Sequence, residues 1–411
     1  MIQSSGITPR PTLAPAEARL LLLTSRPALS DAQQALAAAL VPQVTQWPVF
    51  MNTAWRKYTL SMVYKNLAHL DTLPPEDMLK TMRAMSLRMA MEVLRRQAAF
   101  DWFHGECVLP SGVEHAYFKG PALAARFYPD PMQRYYRDVD ILVPARQRTA
   151  LMRRLRDQGC RVFHETVETG IQYLELDSDS ALDDYQAVTP VPHVMTPQGL
   201  ALELHTQIDE GTALFDTRAL LREAREVTMP HHRIRVVPDA AHFVFICYHH
   251  TRHVWSKLHW MADLDAFCAH PEFDRDAVRA HARRLRLEST VDAALDLHDH
   301  ASTGRHPSEF DRVTPGVDLL RACIEGLSGD EDLEHEMRKG WRMRSLVFDW
   351  QPMPISPLRQ IWLKLLRYRP VFEDLHSVPG WPRVPALRYA CALTMRFVRG
   401  STRHLTQVFQ R

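Results

Sequence analysis

The chain lacks paired cysteines, long apolar runs and a large excess of charge of either sign. Its six cysteines are scattered over 411 residues with no Cys-x-x-Cys pair. This spacing argues against a disulfide framework and a zinc ribbon, and it is typical of a reducing compartment. The apolar run at residues 20–23 is far too short for a signal peptide or a membrane span. We therefore expect a cytoplasmic protein without a membrane span, and the net charge of +2 indicates no particular class of partner.

The length and the 46% hydrophobic content suffice for one large domain or for two to three ordinary domains. The hydrophobic period changes from helical to strand-like near residue 114 and returns to helical near residue 239. We predict an N-terminal helical region at 1–105, an α/β core at 106–230 and a C-terminal helical region with a basic tail at 231–411. The predicted fold class is α+β, a small mixed-sheet core flanked by helical regions.

The spacing of apolar residues predicts helices outside the core and one helix within it. A polar stretch within the core predicts a loop. Residues 51–70 carry apolar side chains at helical spacing, and residues 76–103 read as one long helix. Helices are also expected at 146–158 and through much of 274–347. The acidic, serine-containing stretch at 176–184 predicts an exposed loop.

A lysine–glycine turn follows the first predicted strand of the core. The strand at residues 114–118 leads into Lys119 and Gly120, and Pro121 opens a short helix that continues through 122–127. Glycine allows a tight turn and a close approach of the backbone to a ligand. The first N–H groups of such a helix favour a phosphate, and the lysine can reach the same phosphate as a point charge.

Two aspartates lie on the strand that comes next. Asp138 and Asp140 stand two residues apart, directly before the apolar run at 141–143. Side chains two apart in a strand point to the same face, so both carboxylates face one site while Val139 points into a core. Mg²⁺ prefers such oxygen ligands. Taken alone, an acidic strand end is also typical of solvated surface.

A strand, a Lys-Gly turn, a helix and an acidic pair follow one another in this segment, and Arg134 and Arg137 lie just before the acidic pair. This order resembles that of a known family. It resembles the core of the polymerase-beta-like nucleotidyltransferase superfamily, and within it a bacterial group of nucleotidyltransferase family proteins. Abortive-infection toxin nucleotidyltransferases are similar in their Lys-Gly turn and upstream arginine. Members often carry serine or glycine where this chain has Arg137. The resemblance covers about residues 48–268.

The resemblance implies a metal-dependent enzyme that moves a nucleoside monophosphate from a nucleoside triphosphate such as ATP to an acceptor. It implies Mg²⁺ (or Mn²⁺) held by three carboxylates, those of Asp138, Asp140 and Glu203. Four residues would bind the nucleotide, namely Lys119, Gly120, Arg134 and Arg137. The acceptor stays open among a small molecule, a peptide and a nucleic acid. Two other functions also stay open: a non-catalytic nucleotide-binding or scaffold protein, and an RNA-modifying transferase of the toxin type.

A predicted hairpin supplies the third carboxylate. Strands at 188–195 and 200–204 flank a turn at 196–199 that contains proline and glycine. Glu203 and His205 alternate with leucines, so both polar side chains face one way. An ordinary strand with one wet face has the same pattern. The acidic-apolar-His order resembles the family, which implies that His205 lines the substrate cleft.

A second histidine pair lies in the helical segment at 239–267. His249 and His253 are four residues apart and therefore share one helix face. Two histidines without a third ligand do not define a zinc site. We expect them to pack between helices or to line the edge of the substrate cleft.

The tail at 351–411 holds ten Lys/Arg against two Asp/Glu. Basic residues interleaved with apolar ones are typical of a membrane-surface helix, of a site for an acidic partner, or of a packed helix with a charged outer face. We expect packing, because prolines that include Pro370, Pro382 and Pro385 break any long interfacial helix.

Overall fold

The computed structural model describes residues 13–166, 172–176, 178–209, 214–328, 374–375, 387 and 389–396. Their contacts separate two compact units. The described part of the first unit comprises residues 13–97, 118–136 and 225–328. The described part of the second lies mainly within residues 98–117 and 137–224. The basic tail predicted at 351–411 lies almost entirely outside the described residues, and the three-region division of the chain stays a prediction.

Helices account for most of the described elements. In chain order they are α1 (Pro15–Thr24), α2 (Asp31–Leu40), α3 (Trp47–Arg56), α4 (Leu60–Leu67), α5 (Glu76–Trp102), α6 (Leu109–Ser111), α7 (Gly120–Phe127), α8 (Ala145–Asp157), α9 (Asp179–Val188), α10 (Thr217–Arg222), α11 (Asp239–Arg252), α12 (Leu258–Ala269), α13 (Arg275–Leu285), α14 (Glu288–Ser302) and α15 (Pro315–Ser328). A π-helical stretch at Phe103–Val108 joins α5 to α6. No helix among the described residues is long and apolar enough to cross a membrane.

The strands are β1 (Ala116–Phe118), β2 (Asp138–Leu142), β3 (Arg161–Thr166), β4 (Gln172–Glu175), β5 (His193–Met195), β6 (Ala201–His205), β7 (Arg225–Thr228) and β8 (Arg233–Val236). The second unit holds the order β4-β3-β5-β6-β2-β1. β2 and β6 run parallel, whereas β3 pairs antiparallel with β4 and β5, and β5 with β6. This mixed sheet with flanking helices confirms the α+β prediction, and β1 lies beside β2.

Local sequence explains several helix ends. Ser30 and Gln33 form the reciprocal capping box at the start of α2, with N···O distances of 3.4 and 3.0 Å between side chain and backbone. The long helix predicted at 76–103 is confirmed as α5. The helical pattern at 51–70 forms two helices, because the chain turns between them at Tyr58, which has a positive φ of 63°.

The exposed loop predicted at 176–184 is wrong. Ser178 caps α9 by accepting the backbone N–H of Ala181 at 3.2 Å. The polar residues of this stretch occupy the outer face of the helix, while Leu182 and Tyr185 are buried on its inner face. α9 continues to Val188, so the strand predicted at 188–195 contains only its last three residues. The polarity that suggested a loop is the solvent side of an amphipathic helix.

The first unit contains a hairpin that the sequence analysis did not predict. β7 and β8 pair antiparallel through four residue pairs, from Arg225↔Val236 to Thr228↔Arg233. Arg233–Val236 does alternate between polar and apolar side chains, but Arg225–Thr228 does not, and each strand is only four residues long, so the period-2 signal is weak. The helical prediction for the segment that follows is confirmed by α11 and α12.

Candidate functional site

The parallel pairing of β2 with β6 positions the acidic residues of the second unit. Asp138, Asp140 and Leu142 lie opposite Ala201, Glu203 and His205, respectively. Residues directly opposite each other on neighbouring strands point to the same face of the sheet. The residues between them face the other way and are fully buried, namely Val139, Ile141, Leu202 and Leu204. The apolar face therefore fixes which side of the sheet carries the carboxylates.

Three side chains converge on this face. The Nε2 atom of His205 lies 3.1 Å from Oδ1 of Asp140 and 3.2 Å from Oε2 of Glu203. One ligand atom from each residue falls within 4.8 Å of the other two. With no ion between these groups, the tautomer of His205 that carries its hydrogen on Nε2 donates it to the carboxylates, because ionised carboxylate oxygens only accept hydrogen bonds. The arrangement has the donor set and the spacing of a site for a divalent cation.

Solvent reaches these groups to different extents. Asp140 is 1% exposed and His205 is 6% exposed, whereas the side chain of Glu203 is 23% exposed. Two carboxylates this close repel each other unless a proton, a hydrogen-bond donor or a cation lies between them. The imidazole of His205 provides that donor when its hydrogen is on Nε2.

A further histidine, which the sequence did not single out, lies beside the cluster of Asp140, Glu203 and His205. Nδ1 of His193 lies 3.6 Å from Oε1 of Glu203, the carboxylate oxygen that does not contact His205. The two residues are directly opposite each other on β5 and β6. The turn at 196–199 sets this register, so counting back from the turn would have found His193.

The predicted pair Asp138 and Asp140 shares one face, as the spacing requires. Asp138 is half-buried at the start of β2, and the exposed Arg137 precedes it. The group that meets within 4.8 Å consists of Asp140, Glu203 and His205. The metal-binding role of Asp138 and the nucleotide-binding role of Arg137 stay predictions.

The lysine–glycine turn lies in the first unit and has unusual backbone geometry. Lys119 has φ 58° and ψ −161°, a region that side chains rarely adopt, and its backbone N–H donates to Nε2 of His242 at 3.2 Å. Its ammonium group lies 5.4 Å from the ring centroid of Phe118 and 5.8 Å from that of Phe245. Gly120 follows with φ 38°. The turn therefore holds the lysine in a strained backbone with its charge over aromatic faces.

Arg134 is bound within the first unit by a distant carboxylate. Its Nε and Nη2 atoms donate to the two oxygens of Asp263, each at 2.8 Å, and the side chains are 5% and 0% exposed. Tyr128 also donates to Asp263, at 2.7 Å. Burial, followed by the charge of Asp263, raises the pKa of the Tyr128 hydroxyl well above its usual value. The geometry shows Arg134 in a buried bidentate ion pair, and a contact to phosphate stays a prediction.

The predicted histidine pair also lies in the first unit, beside tryptophan. The rings of His249 and His253 are 4.5 Å apart, and those of His250 and Trp260 stack at 4.5 Å with an 8° angle. Burial, then the positive charge of His253 and Lys119, lowers the pKa of His249 well below its usual value. Among the described residues, these histidines form no group of three ligand atoms within 4.8 Å. A role in lining a substrate cleft stays a prediction.

The mixed sheet and its acidic centre have the form expected of a nucleotidyltransferase core. The chain matches the model of a family described as uncharacterised nucleotidyltransferase over residues 43–301. This match covers more than half of the sequence, so the chain belongs to that family. The matched stretch includes the lysine–glycine turn and both strands of the acidic centre. No curated protein matches the chain.

Proposed function

We propose that the protein is a metal-dependent nucleotidyltransferase that moves a nucleoside monophosphate from a nucleoside triphosphate, ATP included, to an acceptor. The observation that carries the proposal is the pairing of Asp140 with Glu203 on parallel strands, with His205 against both carboxylates. Membership of a nucleotidyltransferase family supports it. The acceptor is a hydroxyl-bearing or otherwise nucleophilic molecule.

The donor set fits a divalent cation such as Mg²⁺ or Mn²⁺. Asp140 and Glu203 would hold it, with Asp138 as a further carboxylate from the same face. A bound cation stabilises the negative charge that develops on the phosphates during transfer. The strands keep the carboxylates in place, because their intervening residues are buried in the core of the second unit. The near-complete burial of Asp140 keeps bulk water away from its carboxylate.

The proposed reaction balances as an in-line displacement. An acceptor oxygen forms a bond to the α-phosphorus of the triphosphate, and the bond from that phosphorus to the bridging oxygen breaks. Pyrophosphate leaves with the electron pair, and the acceptor proton passes to solvent or to a nearby base. Lys119 and Gly120 are proposed to bind the triphosphate, with the exposed Arg137 adding positive charge.

In this proposal the histidines orient neighbouring groups or line the substrate cleft. His205 orients the carboxylates of Asp140 and Glu203 through its Nε2 contacts. His249 and His253 are proposed to line the substrate cleft, with His249 as a neutral group, since its pKa is lowered by burial and neighbouring positive charge. Neutral imidazoles can both donate and accept hydrogen bonds with a polar substrate.

The test measures transfer from α-labelled nucleoside triphosphates with cell extract as the source of acceptors, alongside pyrophosphate release. The wild type is expected to label an acceptor, and Asp140→Asn and Glu203→Gln are expected to abolish or strongly reduce labelling. Asp183→Asn is the matched control, because this exposed aspartate on α9 pairs only at the surface with Arg153. Equal labelling by wild type and Asp140→Asn would refute the proposal. Nucleotide binding without pyrophosphate release would instead identify a nucleotide-binding protein.

A further inference from the structure

We propose that Asp140, Glu203 and His205 form a mixed oxygen–nitrogen metal centre that binds Mn²⁺ in preference to Mg²⁺, with Nε2 of His205 as a ligand. The inference rests on the metal site of the proposed function but not on its turnover. It assigns to this site a nitrogen ligand, where the sequence analysis assigned only carboxylates. The three residues lie on adjacent strands of one sheet.

The distances match cis positions around one ion. Ligands at about 2.1–2.2 Å from a six-coordinate ion, at right angles to each other, are separated by about 3.0–3.1 Å. The two distances from Nε2 of His205 to the oxygens of Asp140 and Glu203 are 3.1 and 3.2 Å. One ligand atom of each residue lies within 4.8 Å of the other two. With its hydrogen on Nδ1, His205 presents the Nε2 lone pair to an ion at the place where the other tautomer donates hydrogen bonds.

The protein also keeps the imidazole in place. His205 is 6% exposed at the end of β6, and its backbone oxygen accepts the N–H of Val143 at 2.9 Å. This bond extends the pairing of β2 with β6 and fixes the backbone beneath the ring. The ring therefore stays beside any ion held by Asp140 and Glu203, instead of rotating into solvent.

The chemistry of the donor set decides between the two ions. Mg²⁺ binds oxygen ligands and loses its water reluctantly, whereas imidazole nitrogen suits first-row transition metals. Mn²⁺ accepts carboxylate oxygens and also bonds to imidazole. A neutral nitrogen beside two carboxylates therefore favours Mn²⁺.

The first experiment uses the metal-free full chain without nucleotide. Binding of Mn²⁺ is followed by loss of the free-ion signal in electron paramagnetic resonance, and binding of both ions by calorimetry. The wild type is expected to bind Mn²⁺ at least tenfold more tightly than Mg²⁺. His205→Gln is expected to lower Mn²⁺ affinity at least tenfold and Mg²⁺ affinity much less. His231→Gln, an exposed histidine of the first unit, is the matched control and is expected to leave both affinities unchanged.

The second experiment reads the ligand directly. Electron spin-echo modulation of bound Mn²⁺ is expected to show coupling to an imidazole nitrogen in the wild type and in His231→Gln, and to lose it in His205→Gln. The wild-type spectrum alone decides the matter if the variant does not fold. Bound Mn²⁺ without nitrogen coupling, or an unchanged ratio of affinities in folded His205→Gln, would overturn the inference and leave the transfer reaction untouched. Nitrogen coupling without nucleotidyl transfer would instead refute only the proposed function.

Discussion

Replacing Asp263 with asparagine is expected to lower the free energy of unfolding of the first unit by about 3–5 kcal/mol. The carboxylate is 0% exposed and receives two hydrogen bonds of 2.8 Å from Arg134, which is 5% exposed. Asparagine keeps the shape but removes the negative charge, so a buried guanidinium loses the group that neutralises it. At 1.4 kcal/mol per tenfold change, this loss raises the equilibrium constant of unfolding by roughly a hundredfold to a few thousandfold.

Urea denaturation followed by tryptophan fluorescence measures this loss, since Trp47, Trp255 and Trp260 lie in the first unit. Asp318→Asn is the control, because Asp318 pairs with Arg321 on the surface of α15 with side chains that are 47% and 46% exposed. Such a pair contributes at most about 1 kcal/mol. An Asp263→Asn variant as stable as Asp318→Asn would refute the reasoning that the buried pair holds this part of the fold.

Three further predictions test other parts of the first unit. Lys119→Ala is expected to weaken binding of ATP with Mg²⁺ by roughly tenfold or more, because the proposed charge-assisted contact of the lysine to phosphate would be lost. Calorimetry measures this affinity, and an unchanged affinity would contradict the proposed nucleotide-binding role. Glu17→Gln is expected to lower the free energy of unfolding by about 1–3 kcal/mol, because the fully buried carboxylate accepts hydrogen bonds from three backbone N–H groups. Urea denaturation measures this loss, and a variant as stable as the wild type would contradict the prediction. Burial raises the pKa of Asp265, but hydrogen bonds from His298 and Arg26 outweigh it and leave the pKa below its usual value. The stabilisation by Asp265 is therefore complete above the unfolded pKa of about 4 and is lost as the pH falls through the lower folded value. The stability difference between wild type and Asp265→Asn is expected to shrink as the pH falls below about 4. A difference that grows over that acidic range would contradict this prediction.

Several features of the second unit follow from short stretches of sequence. The two-residue spacing of Asp138 and Asp140 fixes their common face, and the same rule applies to Glu203 and His205. The turn at 196–199 makes the strands on either side of it antiparallel. Each of these features depends on periodicity and turn chemistry within about ten residues, so the sequence predicts them without knowledge of the rest of the chain.

Other features depend on contacts that local patterns do not carry. Tyr58, Val254 and Trp255 adopt positive φ angles of 63°, 51° and 51°, where side chains are unfavourable. No local preference predicts these turns, because only packing of the surrounding helices stabilises them. The polar side of α9 resembles a loop in the sequence for the same reason. The buried face of this helix is recognised only when the residues that pack against it are known.

The sequence by itself determined the faces of the strands, the capping of α2 and the order of the chemical groups along the chain. The tertiary structure alone decided which groups meet. The parallel pairing of β2 with β6 brings Asp140 against His205 across 65 residues, and Arg134 meets Asp263 across 129. Periodicity fixes the direction of a side chain relative to its own strand or helix. The partner of a buried charge depends on the register between distant segments, which is set when their apolar faces pack together.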